Sequence, residues 1–235
     1  RRPYLAEKET KLYIDGLQNS ELTFEKMNET NIGLDLGFFN DRITLTVDAY
    51  KRKSTDLIGS IKTSGIGGQA VKLANYADMD SKGIEGALGA NVLKSTNFNW
   101  RTQLIFAYNT NTITKLKNQP LIFDLTGADG GAVEGYAQRG LFSLNFQGLS
   151  PVDGSPLFIN EDGDPGNDVY LQSNKIDFLS YEGSIDPKYT GGFSNTFKYK
   201  DFSISTLITF AAGNKVRLSP SFKTSYSDLD AMPKA

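Results

Sequence analysis

The most restrictive feature of this sequence is a two-residue alternation of apolar and polar side chains in six separate segments. In one of them, Ile43, Leu45 and Val47 are interleaved with Thr44 and Thr46. Because successive side chains of a β-strand point to opposite faces of a sheet, this period predicts strands with one apolar and one polar face. The six predicted strands run through residues 32–38, 43–49, 84–92, 100–109, 189–199 and 202–210, and a weaker one through 141–147.

The connections between these strands alternate in length. Three are short and tight, at residues 39–41, 95–97 and 200–201. The others are long and rich in Gly, Asp, Ser and Asn, at about 59–76, at 115–187 and beyond 213. Short turns at one end and long loops at the other are typical of an outer-membrane β-barrel, whereas a soluble sandwich has no reason for such alternation.

Composition narrows the classes of function. The net charge of −2 gives no basic field for nucleic acid. The sequence contains no Cys and no His, which excludes disulfides, thiolate catalysis and the commonest general base and zinc ligand. No run of about 18 apolar residues is present to form a transmembrane helix, but alternating barrel strands also average to a mildly polar hydropathy.

Aromatic residues gather near the ends of the predicted strands. Such rings are apolar in body and polar at one edge, so they favour the boundary between lipid and water. Aromatic residues also favour strands in general, and for any one of them both interpretations stay open. As a set they predict an interfacial girdle, formed by Phe38, Phe39, Tyr50, Phe98, Trp100, Tyr108, Tyr199 and Phe202.

Four blocks of sequence carry a family resemblance. Leu22-Thr23-Phe24-Glu25 followed by residues 31–53 (NIGLDLGFFNDRITLTVDAYKRK) resembles the late barrel of SusC/RagA-type TonB-linked outer-membrane proteins. Three further blocks, in the order of that family, are MDSKGIE at 79–85, the LFS, GL and DGSPLF elements between 140 and 158, and GSIDPKYTGGFSNTFKYK at 183–200. The resemblance covers residues 20 to about 215.

The resemblance implies an all-β fold that is part of a large antiparallel transmembrane β-barrel. In that family the barrel has 22 strands, long extracellular loops and short periplasmic turns. Residues 1–235 are then expected to be a fragment of a single barrel domain, with late strands and extracellular loops. The plug domain and the final strands are expected to lie outside it.

The resemblance also implies a function, which is not enzymatic. It implies active import of a large nutrient, an oligosaccharide or a peptide, across the cell outer membrane. The expected partners are outer-membrane lipid, a SusD-like surface lipoprotein that acts as a lid, and TonB, which acts through the N-terminal part. The long connections at 59–76 and 115–187 are the candidates for ligand and lid contact.

Two alternatives stay open. One is a non-transporting outer-membrane barrel that serves as an adhesin or as a structural partner of a secretion assembly. The other is a soluble all-β domain that binds or hydrolyses carbohydrate. That alternative requires a second sheet to cover the apolar stripe, and the interleaved positions carry too few bulky residues for one.

One acidic loop is a candidate metal site. Asp162, Asp164 and Asp168 lie in a short segment rich in Gly, and alternate oxygen ligands are what Ca²⁺ binds. The EF-hand spacing fails, because Pro165-Gly166 interrupts it and no Glu follows at the twelfth position. A calcium site and a solvated, turn-rich loop are therefore both compatible with these residues.

The remaining motifs are weaker, and no catalytic residue or cofactor is predicted. Asp48 with Glu85, or Asp35 with Glu85, is imaginable as a carboxylate pair for glycoside hydrolysis, but a role as lumen-facing wall residues explains them better. The glycines at 65–68 and 127–131 lack the Lys-Ser/Thr of a phosphate-binding loop and predict mobile loops instead. Residues 171–181 are a candidate short amphipathic helix that packs against a neighbouring loop.

Overall fold

The computed structural model describes residues 19–63, 71–168 and 175–218. Six of its strands form one antiparallel sheet with the order β1-β2-β3-β4-β10-β11. The strands of this sheet, called the wall below, are β1 Lys26–Phe38, β2 Ile43–Lys62, β3 Val71–Lys94, β4 Phe98–Leu116, β10 Tyr189–Tyr199 and β11 Phe202–Ala212. All six predicted strands are therefore confirmed, as is the all-β class with antiparallel sheets.

A second part of the molecule, called the loop layer, comprises the described residues between 117 and 188. It contains a two-stranded sheet of β5 and β9, and a three-stranded sheet of β6, β7 and β8. Its elements are α1 Ile122–Leu125, β5 Gly140–Ser143, β6 Phe146–Leu149, β7 Pro156–Ile159, β8 Pro165–Gly166 and β9 Ser180–Ser184. Among the described residues, no helix is long and apolar enough to cross a membrane.

The register of the wall places apolar side chains in continuous rows on one face. One row crosses all six strands through directly paired positions: Leu36, Leu45, Leu88, Leu104, Phe193 and Ile208. Its members include Leu104 at 42% and Ile208 at 65% exposure. Large exposed apolar patches mark an interaction with a membrane or another apolar partner. This face has the character of a lipid-facing surface.

The opposite face of the wall is mostly polar or small, with Ile105 and Leu207 as exposed apolar exceptions. Thr46 donates a hydrogen bond to Asp35 across the β1–β2 pair (2.7 Å). A Cβ on Gly33 would meet the Asp48 carboxylate at 2.6 Å, so these two residues share that face. On β3 the same face presents Gly83, which lies under the ring of Tyr50. Two faces of opposite polarity on one sheet are what the alternating sequence predicted.

Aromatic residues border the apolar face at two levels. At the turn end, Trp100 and Phe197 stack with ring centroids 5.5 Å apart. At the other end, Tyr108 and Tyr189 are in contact at 5.1 Å. Phe98 and Tyr108 are separated by ten residues of β4, which corresponds to about 25 Å for a strand tilted by roughly 40°. That height matches the apolar band of a barrel in a membrane.

Two members of the predicted girdle lie elsewhere. Tyr50 is on the polar face, where its ring covers Gly83, because its even number puts it out of phase with Ala49. Phe39 is in the turn after β1 with a φ of 56°. A position near a strand end was not enough to predict where these two rings lie, because the face on which a side chain lies also depends on the alternation along the strand.

The connection predicted at residues 59–76 is not a long loop in the part that the structure describes. β2 continues to Lys62 and β3 begins at Val71, with Ser60 paired to Leu73 and Lys62 to Val71. Beyond the apolar band both faces of these strands meet polar surroundings, so the alternation that identified the strands disappears while the backbone ladder continues. The glycines at 65–68 lie outside the described residues.

Two smaller predictions also change. The weak strand at 141–147 is two short strands, β5 and β6, which pair with different partners. In the segment 171–181, residues 171–174 lie outside the described residues. The rest forms a turn at 177–178 that leads into β9, and not a helix. The expected packing is present, because Ile176 and Leu179 contact the buried cluster of the loop layer.

Candidate functional site

A cleft of about 520 Å³ lies where the loop layer meets the upper end of β4. Its lining comes from β4 between Tyr108 and Thr112, from the segment 135–137, and from the segment 184–188, with Lys82 and Tyr181 at its border. Both the wall and the loop layer line this recess, and it is the candidate site for ligand contact.

The cleft exists because β4 extends beyond its neighbour β10. The pairing of these strands ends at Tyr108 and Tyr189. Above that point the edge of β4 takes other partners: Asn109 N–H donates to the Lys188 carbonyl (2.9 Å), and Ile113 N–H to the Tyr136 carbonyl (2.8 Å). Between these two bonds the Asn111 side chain bridges to the loop layer by accepting the Gln138 N–H (2.8 Å), and the space left around this bridge is the cleft.

A small hydrophobic core holds the loop layer in place. Leu125, Val133 and Phe142 are buried together, and Ile176 and Leu179 pack against them. Beneath this layer Ile113 of β4 is fully buried. The loop layer thus has an internal core, which is what positions its backbone over the strand ends.

Three aromatic rings connect this core with the cleft. The Tyr136 ring lies 5.3 Å from that of Phe142 and 4.6 Å from that of Tyr181, and Phe142 and Tyr181 are 5.2 Å apart. Burial raises the pKa of the Tyr181 phenol, and a backbone hydrogen bond with Ala137 partly offsets this rise. Tyr181 therefore offers a neutral hydroxyl group, and both tyrosines line the cleft.

Backbone contacts fix the remaining border of the cleft. Arg139 forms an ion pair with Asp186 (2.8 Å), and its carbonyl accepts the Ile185 N–H (3.1 Å). Gly131 and Gly140 exchange two backbone hydrogen bonds of 2.9 and 3.0 Å. Gly131, the last of the glycines at 127–131 that were predicted to form a mobile loop, is therefore tied to the start of β5.

The chemistry that the cleft offers is recognition. Hydroxyl, amide and aromatic groups line it, together with Lys82, Lys188 and Asp186. Such groups donate and accept hydrogen bonds and stack on flat or cyclic ligands, as sites for polar ligands do.

The acidic loop has a local organisation of its own. The Asn160 side-chain carbonyl accepts the backbone N–H groups of Asp162 (3.1 Å) and Asp164 (3.0 Å), and its amide donates to the Asp168 carboxylate (3.2 Å). Within the three described ranges, no group of three or more acidic side chains is gathered for a metal ion. The structure does not bring Asp162, Asp164 and Asp168 together in that way, and the calcium site stays a prediction.

The hairpin that carries this loop projects from the rest of the loop layer. Phe146 and Phe158 contact each other at 5.7 Å, and Val152 at the tip is 93% exposed. Hydrogen bonds from Ser150 and Ser155 hold the pKa of the Asp153 carboxyl below its usual range, so the tip of the hairpin carries a negative charge.

The other candidate carboxylates lie on the polar face of the wall. Asp48 is directly opposite Glu85, and Asp35 is held by Thr46 (2.7 Å). None of the three lines the cleft. They are wall residues, as the alternation predicted.

Tyr136 and Tyr181 were not identified from the sequence as site residues. Neither belongs to a periodic segment, and each is brought to the cleft by contacts across more than 30 residues of chain. The available signal was indirect. Tyr181 precedes the GSIDPKY block, and the LFS element contains Phe142, so two of the blocks that carry the family resemblance lie next to or contain residues of the same aromatic cluster.

Comparison with known proteins places these features in context. Residues 12–133 match the family described as TonB dependent receptor-like, beta-barrel. TonB-dependent receptor P3 of Formosa agariphila is 24% identical over 219 residues, which cover 84% of this chain and 21% of the receptor. TonB-dependent receptor SusC of Bacteroides thetaiotaomicron is 36% identical over 99 residues, or 42% of this chain and 10% of SusC.

Solved structures share the fold. The structure of the RagAB peptide transporter superposes with a TM-score of 0.69 at 24% identity, over 88% of this chain and 23% of that one. The RagAB peptide importer in the "open-open" state gives a TM-score of 0.59 at 22% identity, over 82% and 21% of the two chains. The chain thus spans about a fifth of the length of the relatives that it matches along most of its own length.

Proposed function

This chain belongs to the family of TonB dependent receptor-like β-barrels, and we propose that it supplies wall strands and extracellular loops to a transporter that imports a large nutrient. The members of this family are outer-membrane receptors and transporters. The single observation that carries the proposal is the two-faced wall, apolar outside and polar inside, capped at one end by a loop layer with a ligand-sized cleft. We further infer that residues 1–235 form part of one barrel domain that crosses the membrane several times.

The transported ligand in this proposal is an oligosaccharide or a peptide. The tyrosines and amides of the cleft suit either of them, because both present many hydrogen-bonding groups and surfaces on which rings stack. RagAB is a peptide transporter, which supports the peptide alternative for a protein of this fold.

We propose a SusD-like surface lipoprotein as the partner on the loop side, and TonB as the partner of the N-terminal part of the whole receptor. The projecting hairpin is the segment of the loop layer best placed for the lipoprotein. Val152 is 93% exposed at its tip, and Leu149 is 65% exposed on β6. Exposed apolar residues on a structured hairpin are typical of surfaces that a partner covers.

The proposal is tested with the complete receptor produced in a strain that lacks the chromosomal copy. Uptake of labelled oligosaccharides and peptides is measured with and without the N-terminal segment that contacts TonB. Binding to the purified receptor is measured in parallel. We expect removal of that segment to abolish uptake and to leave binding intact. Uptake that continues without it would contradict active transport, and an absence of binding by either ligand class would contradict the nutrient assignment.

The role of the cleft is tested by replacing Tyr136 and Tyr181 with Phe or Ala. Loss of both rings is expected to weaken ligand binding by about tenfold or more, since each stacked ring contributes roughly 0.5–1.5 kcal/mol. The matched control is Tyr50→Phe on the polar face of the wall, outside the cleft lining. Equal binding by the Tyr136→Ala/Tyr181→Ala receptor and the wild type would show that the ligand is held elsewhere.

A further inference from the structure

A row of four side chains crosses the apolar face of the wall directly above the apolar band. Thr30 is paired with Lys51, Lys51 with Lys82, and Lys82 with Thr110. The order across β1 to β4 is therefore Thr, Lys, Lys, Thr. Directly opposed residues of antiparallel strands have Cβ atoms roughly 5 Å apart, so the two lysines are close neighbours flanked by two hydroxyl groups.

This row belongs to the lipid-facing side of the wall. Lys51 follows Ala49 by two residues and Lys82 precedes Ile84 by two, and Ala49 and Ile84 are themselves paired in the apolar band. The intervening residues Tyr50 and Gly83 are on the polar face, where the tyrosine ring covers the glycine. Both lysines are exposed, and Lys82 and Thr110 lie where this face meets the border of the cleft described above.

The row also marks the upper boundary of the apolar band. Towards the turn end, the next rows on this face contain no charged residue in the four strands concerned, down to Phe38 and Ile43. In the adjacent strand the boundary is occupied by Tyr108, which contacts Tyr189. The lysines therefore lie at the height where the acyl chains of a bilayer end and the headgroups begin.

No ion pair within the described residues neutralises this pair of lysines. Like charges that face each other across a strand pair are destabilising, and neither Lys51 nor Lys82 forms an ion pair in the described part of the chain. The row above it contains Lys53 opposite Asp80. The four charged side chains of the two rows carry a net charge of +2, and one Asp80 carboxylate oxygen is buried without a hydrogen-bond partner there.

We propose that the row Thr30, Lys51, Lys82 and Thr110 binds the phosphate group of a lipid in the outer leaflet of the membrane. Two ammonium groups supply the charge that a phosphate needs, and the two threonine hydroxyls donate to its remaining oxygens. The continuous apolar rows beneath accept the acyl chains of the same molecule. Because the row is continuous with the lipid-facing surface, its ligand should be a lipid and not a soluble anion. This holds for any nutrient that the transporter carries.

The test uses the complete receptor in nanodiscs of phosphatidylcholine, with or without a minor fraction of lipid A as the phosphorylated lipid. Retained lipid A is counted by native mass spectrometry, and Tm is measured in both kinds of disc. For Lys51→Gln/Lys82→Gln we expect lipid A binding to fall by roughly thirtyfold, since each basic side chain near a membrane surface contributes about a factor of five. The matched control, Lys198→Gln, removes a lysine near the turn end of β10 and is expected to retain wild-type binding.

A charge reversal separates this proposal from a general effect of interfacial lysines. Lys82→Glu creates a cross-strand ion pair with Lys51, so we expect a Tm at or above that of the wild type in neutral discs. The same variant is expected to lose the rise in Tm that lipid A produces. Equal lipid A retention by wild type and Lys51→Gln/Lys82→Gln would overturn the proposal. An equal rise in Tm on adding inorganic phosphate to neutral discs would overturn the assignment to a lipid.

Discussion

The wall and the loop layer are built in opposite ways. In the wall, a regular backbone ladder decides which side chains face lipid and which face the interior, so that paired residues such as Leu45 and Leu88 share a face automatically. In the loop layer, a few buried side chains around Phe142 decide where the backbone goes. We therefore expect a charged side chain on the lipid-facing side to destabilise the wall. The loop layer should instead be destabilised by the removal of buried side-chain volume.

The sharpest test of this contrast is Phe142→Ala. Phe142 is 4% exposed and contacts both the hydrophobic core and two tyrosines. We expect the loop layer to lose about 3–5 kcal/mol of local stability, as large-to-small changes of buried aromatic residues do. Hydrogen exchange of the complete receptor would show faster exchange at residues 131–142, with unchanged protection of β1 and β2.

The control for this variant is Phe123→Ala, at a ring that is 63% exposed on α1. It should change exchange in the loop layer far less. Equal effects at Phe142 and Phe123 would show that the layer has no core of its own. Spread of fast exchange into β1 and β2 would show that the two regions unfold together.

The contrast in the wall is tested by Leu104→Arg against Gln103→Arg. The two residues are neighbours on β4 but face opposite sides of the sheet. An arginine on the lipid face near the middle of the membrane costs about 2–4 kcal/mol, and one on the interior face costs little. Urea titration of the folded receptor in lipid vesicles measures both variants. A similar loss of stability in the two variants would contradict the assigned faces.

A backbone test within the loop layer compares Gly130→Ala with Gly135→Ala. Both glycines have positive φ, at 65° and 87°, and alanine there costs roughly 1–2 kcal/mol. A Cβ on Gly130 would also lie 2.8 Å from the Gly140 carbonyl oxygen, whereas none of the described atoms lies within 4 Å of a Cβ on Gly135. We therefore expect the larger loss at Gly130, measured by exchange of the Gly131 and Gly140 amides.

The smallest expected effect is that of Arg139→Gln, which removes the ion pair with Asp186. Both side chains are about half exposed, at 51% and 40%, so the change should cost at most about 1 kcal/mol and should vanish in high salt. The Ile185 amide, which bonds to the Arg139 carbonyl, reports it by exchange. An effect that persists in high salt would show that Arg139 stabilises the loop layer by packing and not by its ion pair with Asp186.

The same contrast explains how much the sequence could predict. The wall was predictable because its alternation has a physical cause at every position: Ile43, Leu45 and Val47 face lipid, and the residues between them do not. The extensions of β2 and β3 were missed because beyond the lipid no apolar partner selects one face. Tyr50 was wrongly assigned to the girdle, because a position near a strand end does not show which face of the sheet a side chain is on.

The loop layer was hardly predictable beyond its existence. Its strands are four or five residues long or shorter, and their pairing is set by contacts between distant parts of the chain. Tyr136 and Tyr181 meet across a segment of sequence that carries no periodicity. The acidic loop shows the same limit, because Asn160 and not a cation organises the backbone around Asp162 and Asp164.

The length of β3 has a consequence for how the cell presents this protein. A strand needs about 9–11 residues to cross a membrane, and β3 has 24. From Ala77 to Ala90 it is paired with β2 on one side and with β4 on the other, and from Val71 to Ala74 it is paired with β2 alone. Its emergent part is therefore held in a backbone ladder with at least one neighbour and offers little free extended backbone to a protease. Enzymes added to intact cells should cut the exposed hairpin around Val152 first, and leave the projecting strand whole.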